Sequence, residues 1–479
     1  MKDKILHSLK WSALAAIVSK ILPPLFYIIT ARLLTPEDFG IVATSVMILA
    51  FANILWEAGL SKALIQTQNL ERLDDLSNIV FYTNITLGLL LYILLFIFAE
   101  PLALFFNESK VEDVIKVSAL AMIIGSFSSV QTALLQKDFG FKKLFYSRLA
   151  GSVVPGIVSV TMAYYGYGYW SLVFGSVASI FLQAILLWKI SHWRPTLSYD
   201  IALAKTMVKF SKWVLLSALL SWFFAWGDLF VLGYFFTPHE MGLYRTGNYL
   251  VLAIIGLVTA PIVPVMYSYF SKIQHDKESI KKALLFSSKV ISFFVLPIGL
   301  GIYLVQDPLS SIIFGDKWDG IGLVIGYLAL THSFAWIIGL NVEAYKAIGR
   351  PEVETIILCL GVIVYLIVYL VTAQINFETF LIARFCLVFY GLWIHIFASK
   401  KLLGIGFMHT IKNILIILIS LILIFILDKI IFSNITTLSS MVMILVISFL
   451  IYISMIYLLD KQFLNKIIVL IKKRNINEE

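Results

Sequence analysis

Apolar residues run along this chain in long stretches separated by short polar connections. Most stretches are 18–25 residues long. At about 1.5 Å of helical rise per residue, that length crosses the roughly 30 Å hydrocarbon core of a bilayer. The pattern predicts fourteen spans, at 11–34, 41–61, 78–99, 114–135, 147–166, 168–188, 213–236, 242–268, 284–305, 320–344, 355–374, 379–398, 410–428 and 437–459. The alternating stretches of about ten residues that mark a membrane β-barrel are absent. The expected fold class is therefore an all-α integral membrane protein with fourteen transmembrane helices. The first run, Trp11 to Leu34, is too long for a signal-peptide core and lacks a small-residue cleavage site, so it reads as a span.

Basic residues alternate between connections. One set carries Lys137, Lys142, Lys143 and Arg148, then Lys189, Arg194, Lys205, Lys209 and Lys212, then Lys272, Lys277, Lys281 and Lys282. Lys346 with Arg350, Lys400 with Lys401, and Lys472, Lys473 and Arg474 continue it. The intervening connections carry only Lys110 and Lys116, Lys317, and Lys429. The positive-inside rule puts the rich set in the cytoplasm of a cell-membrane protein, with both termini inside. An even number of spans agrees with that. The outward connections are too short for an external catalytic domain.

Composition supports the reading: 60% of residues are hydrophobic and 14% charged. Soluble domains have about 45–50% apolar and about 25% charged residues. The net charge of +9 is a topology signal rather than a sign of nucleic-acid binding. Cys359 and Cys386 both fall inside predicted spans and imply no disulfide framework.

One motif occurs twice. Thr35-Pro36-Glu37-Asp38-Phe39-Gly40 returns as Thr237-Pro238-His239-Glu240-Met241-Gly242, each copy between two apolar stretches. Thr, Pro and an acid together make a good helix start. Helix capping explains the residue types but not the recurrence with matched flanks. Pro101–Phe106 before the fourth span and Pro308–Phe314 before the tenth echo each other in the same order. The chain therefore reads as two halves of one design, an organisation found in transporters. The expected parts are a first lobe of six spans at 1–190, a basic amphipathic connection at 191–212, a second six-span lobe at 213–400, two more spans within 401–459, and a basic tail at 460–479.

Several segments resemble the polysaccharide transporters. Ala31-Arg32-Leu33-Leu34-Thr35-Pro36-Glu37-Asp38-Phe39-Gly40 is similar to that family's signature after its first span. Glu57-Ala58-Gly59-Leu60-Ser61, Gln136–Phe141, Gly166–Trp170 and Ala347-Ile348-Gly349-Arg350-Pro351 resemble it as well. The likeness is to Wzx-type flippases of O-antigen, colanic acid and related surface polysaccharides, including exopolysaccharides. Their superfamily, MOP, also holds MATE multidrug exporters and the lipid II flippase. The resemblance implies two lobes in a V around a central cavity. It also implies alternating access that moves a polyprenyl-pyrophosphate-linked oligosaccharide from inner to outer leaflet. Expected partners are that lipid-linked oligosaccharide, membrane lipids, and a polysaccharide polymerase with its chain-length regulator.

Charges inside spans cost about 3 kcal/mol each on insertion scales and normally face a bundle interior or a wet cavity. Lys20 lies about 13 Å into the first span at 1.5 Å per residue. With Arg32, Arg148, Arg245 and Arg384 it is expected to supply a cationic field for a pyrophosphate, since guanidinium groups bind phosphate oxygens bidentately. Arg32 and Arg148 equally suit interfacial anchoring. Asp228 is the deepest acid and the first candidate for a proton or sodium site, followed by Glu57 and Glu343. A structural pairing with a neighbouring cation explains Asp228 equally well.

No phosphate-binding glycine loop, nucleophile elbow or zinc-ligand spacing occurs. The chain is therefore not expected to be an enzyme or to hold a metal or cofactor. Its energy source is expected to be an ion gradient, the membrane potential or the substrate gradient. A cation-coupled multidrug exporter on the same fold is the alternative. That reading expects an acidic cavity in the first lobe, where this chain offers Lys20 and Arg32.

Overall fold

The computed structural model describes residues 21–57, 60–66, 72–431 and 438–476, and among these every regular element is helical. The helices are α1 (Ile21–Leu33), α2 (Pro36–Glu57), α3 (Leu60–Gln66), α4 (Leu73–Phe105), α5 (Lys110–Ser118), α6 (Leu120–Ser126), α7 (Ser129–Lys137), α8 (Phe141–Tyr164), α9 (Trp170–Ile190) and α10 (Ile201–Phe235). They continue as α11 (Pro238–Lys272), α12 (Lys277–Leu304), α13 (Gln306–Phe314), α14 (Ile321–Ala335), α15 (Asn341–Ala347), α16 (Glu352–Thr372), α17 (Phe377–Leu403), α18 (Phe407–Ile431), α19 (Leu438–Leu459) and α20 (Lys461–Ile476). Among the described residues eleven helices are long and apolar enough to cross a membrane, or twelve when the bent run α5–α7 counts as one span. The protein is a multi-pass membrane protein. The described part of α1 and all of α14 are shorter apolar helices.

Packing divides the chain after Arg245, within α11, into two compact units. Residues 191–212, which the sequence marks as a connection, lie inside the first unit.

In the first unit the span expected at 114–135 is broken, with a bend of 45° between Ser126 and Ser129. Three serines explain how a break survives in an apolar setting. Ser126 Oγ donates to Ile123 O, Ser128 Oγ to Gly125 O and Ser129 Oγ to Ser126 O, so carbonyls near the break keep partners. Asn84 of α4 donates to Ser129 Oγ at 2.9 Å and pins the bend to a neighbouring helix.

Helices α8 and α9 form a hairpin whose turn contains Gly166 and Gly168, both at positive φ. That backbone conformation favours glycine and accounts for the Gly-Tyr-Gly-Tyr spacing. After α9 the chain runs without regular structure from Ser191 to Asp200. Asn78 fixes this strap to α4 twice, accepting from the Thr196 amide at 2.9 Å and donating to its hydroxyl at 2.7 Å. Arg194 donates to the Trp188, Ser191 and Trp193 carbonyls, which ties the strap to the end of α9.

The two motif copies start α2 and α11. Asp38 Oδ2 accepts from both the amide and the hydroxyl of Thr35, at 3.0 and 3.2 Å. Glu240 Oε2 accepts from the amide and hydroxyl of Thr237, both at 2.9 Å. Each copy is thus a closed helix cap that supplies partners to donors the helix cannot use. The copies also touch. A Cβ on Gly40 would lie 1.8 Å from the Pro238 carbonyl oxygen, and one on Gly242 would lie 1.8 Å from that of Pro36. The glycines are there because two helix starts press backbone against backbone.

In the second unit α12 packs against α14 and α18, and α14 against α17. A core of Phe293, Leu296, Ile414, Ile417, Leu421, Tyr452 and Ile456 joins α12, α18 and α19. The span expected at 320–344 stops at Ala335, and α15 restarts the chain at Asn341. A buried polar network holds this restart. Asn341 donates to Ser399 Oγ at 2.9 Å, and the Tyr345 hydroxyl contacts that same oxygen at 2.9 Å and donates to the His395 carbonyl at 3.0 Å.

Candidate functional site

In the first unit α10 and the start of α11 form a hairpin that carries an acid, Asp228, and a cation, Arg245. Asp228 is only 4% exposed. The buried Tyr244 hydroxyl donates to its Oδ2 at 2.6 Å, and the Leu229 amide donates to its Oδ1 at 2.8 Å. Nothing in the sequence marks Tyr244, because its 16-residue separation from Asp228 becomes a contact only when the hairpin closes. Arg245, the next residue, lays its guanidinium over the Trp226 ring, 4.9 Å from the centroid. A cation on an indole face keeps a defined position without a carboxylate partner. Two contacts thus cross the hairpin, Tyr244 of α11 to Asp228 of α10 and Arg245 of α11 to Trp226 of α10.

Arg32 is exposed at the end of α1, and Arg148 is exposed in α8. Glu57 closes α2, and its side chain, like Lys20, lies outside the described residues.

In the second unit Arg384 of α17 donates through Nη1 to the Tyr369 hydroxyl of α16 at 2.6 Å. Tyr369 lies against Phe380, with Tyr365 beside it and Tyr390 facing Tyr365. His332 of α14 meets Asn248 Oδ1 at 2.7 Å. The result is a group of phenols, an imidazole, an amide and a guanidinium within apolar spans. Such groups suit phosphate oxygens and sugar hydroxyls. The sequence singled out Arg384 alone; the tyrosines look like ordinary span aromatics until α16 and α17 pack. Glu343 lies beside Lys346 at 3.7 Å, and Lys346 also pairs with Glu354 at 3.0 Å, so this acid belongs to a charged cluster at the helix ends.

A cavity of about 890 Å³ opens between α17 and α18. Phe389, Trp393, Phe397 and Phe407 line it, with Lys400 and His409 at the polar end. Apolar walls under a basic rim match an amphiphile with an anionic head.

Among the described residues, apolar helices, two capped repeats and cationic groups held within apolar helices define a multi-pass helical membrane fold. A family model described as polysaccharide biosynthesis protein matches residues 29–322, and the chain belongs to that family. The succinoglycan biosynthesis transport protein ExoT of Rhizobium meliloti (strain 1021) is 24% identical over 329 residues, 68% of this chain and 65% of that protein. The match thus spans slightly less than two thirds of that relative's length. Among solved structures, the lipid II flippase MurJ in an inward closed conformation superposes with a TM-score of 0.78 at 17% identity, covering 95% of this chain and all of that one. An inward-facing multidrug resistance MATE transporter of the MOP superfamily gives 0.58 at 16% identity, covering 81% and 99%. The expected resemblance and the helical fold are both borne out.

Proposed function

We propose that this protein moves a polyprenyl-pyrophosphate-linked oligosaccharide from the inner to the outer leaflet of the cell membrane, for export of a surface polysaccharide. The observation that carries the reading is the pairing of cationic groups inside apolar helices, Arg245 on Trp226 and Arg384 on Tyr369, with membership of the polysaccharide biosynthesis family. A pyrophosphate needs cations and a sugar needs hydroxyl partners, and both kinds of group lie on helices apolar enough to cross a membrane. The α17–α18 cavity gives an apolar chain a surface beside Lys400.

The proposed topology has fourteen spans in two six-helix lobes plus two, with both termini in the cytoplasm. Its support is the alternation of basic connections. In this reading Lys20, Arg32 and Arg148 add to the cationic field. Asp228 is the proposed proton or sodium site, ahead of Glu57 and Glu343. A polymerase and chain-length regulator are the proposed protein partners.

The test is leaflet exchange in liposomes carrying a fluorescent polyprenyl-pyrophosphate oligosaccharide. Exchange is expected with the parent protein and lost with Lys20→Ala and Arg384→Ala at equal incorporation. Exchange that is unaffected by both changes, or absent while cationic dyes are carried, sinks the proposal and favours the multidrug reading.

A further inference from the structure

The two motif copies correspond position by position, Thr35 to Thr237, Glu37 to His239 and Asp38 to Glu240. Asp38 and Glu240 cap their own helices. Glu37 and His239 meet each other across the junction, Nδ1 to Oε1 at 2.6 Å. Equivalent positions therefore face one another, as the reciprocal contacts of Gly40 with Pro238 and Gly242 with Pro36 require. Identical residues there would set two carboxylates together, which repel. This chain has an imidazole on one side instead.

We propose that Glu37 and His239 form a pH-sensitive latch, holding the starts of α2 and α11 together in acid and releasing them as pH rises through the imidazole range. When His239 is protonated, an ion pair adds to the hydrogen bond. That ion pair exists only in the closed junction, so acid favours closure. The ion pair is present only while the imidazole carries its second proton, so it acts in acid and is absent in alkali. At much lower pH, protonation of Glu37 removes it again.

The charged groups on the elements around α2 are carboxylates, lysines and arginines. The elements packed on α2 carry Asp74, Asp75 and Glu100 on α4, Lys110, Glu112, Asp113 and Lys116 on α5, Lys189 at the far end of α9, and Lys205, Lys209, Lys212 and Asp228 on α10. Arg32 precedes the junction, and Asp38, Glu240 and Arg245 belong to the two motif segments. Carboxylates, lysines and arginines ordinarily keep their charge between about pH 5 and 8, whereas a histidine does not. His239 and Glu37 are 37% and 49% exposed, so solvent protons reach them. An exposed pair of this kind changes the closed-to-open ratio about 1.4-fold to fivefold. In the proposed orientation the latch reads the outer pH, and its action on transport rests on the flippase reading.

Spin labels at Tyr164→Cys and Tyr234→Cys, with Cys359→Ser and Cys386→Ser, report the junction. Tyr164 precedes the turn whose Gly168 abuts Asp38, and Tyr234 precedes the Thr237 cap; both are exposed, at 76% and 45%. Dipolar distances would be measured in nanodiscs at about pH 5.5 and about pH 8. The ratio of short-distance to long-distance populations should be about 1.4-fold to fivefold larger in acid. His239→Gln and Glu37→Gln should each abolish the response, and His239→Lys should give the closed distribution at both pH values. The same distribution at both pH values in the parent, or an undiminished response in His239→Gln, overturns the latch. No substrate enters the measurement, so failure of the latch is separable from failure of the flippase reading.

Discussion

The Tyr244 hydroxyl bonds to the buried carboxyl of Asp228 at 2.6 Å, across the α10–α11 hairpin. The phenol satisfies a polar group that has little access to water. Tyr244→Phe removes that donor and leaves the ring volume unchanged. A buried acceptor that loses its partner costs about 1–3 kcal/mol. The expected result is a lower melting temperature in detergent with the fold retained; an unchanged melting temperature would show that another donor replaces the phenol.

If Asp228 is the coupling site, Asp228→Asn keeps the shape and removes the charge. Transport of the lipid-linked oligosaccharide should slow and lose its dependence on pH or sodium. Flux measured against imposed proton and sodium gradients decides this. An Asn variant with the parent's ion dependence would move coupling away from Asp228.

Gly40 and Gly242 offer a sharper test of the repeat contact. Each added methyl would sit 1.8 Å from a proline carbonyl, so the two helix starts must part. Overpacking of this kind costs about 1–3 kcal/mol. Gly256 in α11 has open space where a methyl would go. Gly256→Ala should therefore be neutral or stabilise by up to about 1 kcal/mol through reduced unfolded-state freedom. Melting temperatures of the three variants should split two against one.

Lys289 of α12 and Asp460, just before α20, form an ion pair whose side chains are 18% and 19% exposed, and Lys289 also lies over the Phe463 ring. Asp460→Asn leaves a largely buried lysine without its counter-charge. A fully buried pair broken on one side costs about 3–5 kcal/mol, and partial exposure should bring this nearer 2 kcal/mol. Hydrogen exchange should rise in α20 first. The double change Lys289→Met with Asp460→Leu should recover much of the protection, because no lone charge remains.

Arg384 donates to Tyr369, so its charge and its geometry can be separated. Arg384→Lys keeps the charge but loses the planar fork. If the site holds a pyrophosphate, the lysine variant should bind the lipid-linked substrate less tightly than the parent and more tightly than Arg384→Ala. Equal binding by all three would take Arg384 out of the site.

The sequence determined what depends on local composition. Span length and hydropathy announce helices that cross a bilayer, because every backbone group there must find its partner within the segment. The recurrent Thr-Pro-x-acid-x-Gly announced two equivalent helix starts, since capping is settled within four residues. Tertiary structure decided what depends on distant packing. Only the fold brings Glu37 onto His239, Gly40 onto Pro238, Tyr244 onto Asp228 and Arg384 onto Tyr369. The bend at Ser126–Ser129 and the stop at Ala335 were also illegible, because hydropathy is indifferent to where hydroxyls or a neighbouring amide find carbonyls to satisfy. In a membrane the hydrophobic effect fixes which segments enter, but among apolar helices it does not choose partners. Close backbone contact and polar pairs make that choice, and these exist only once the helices have met.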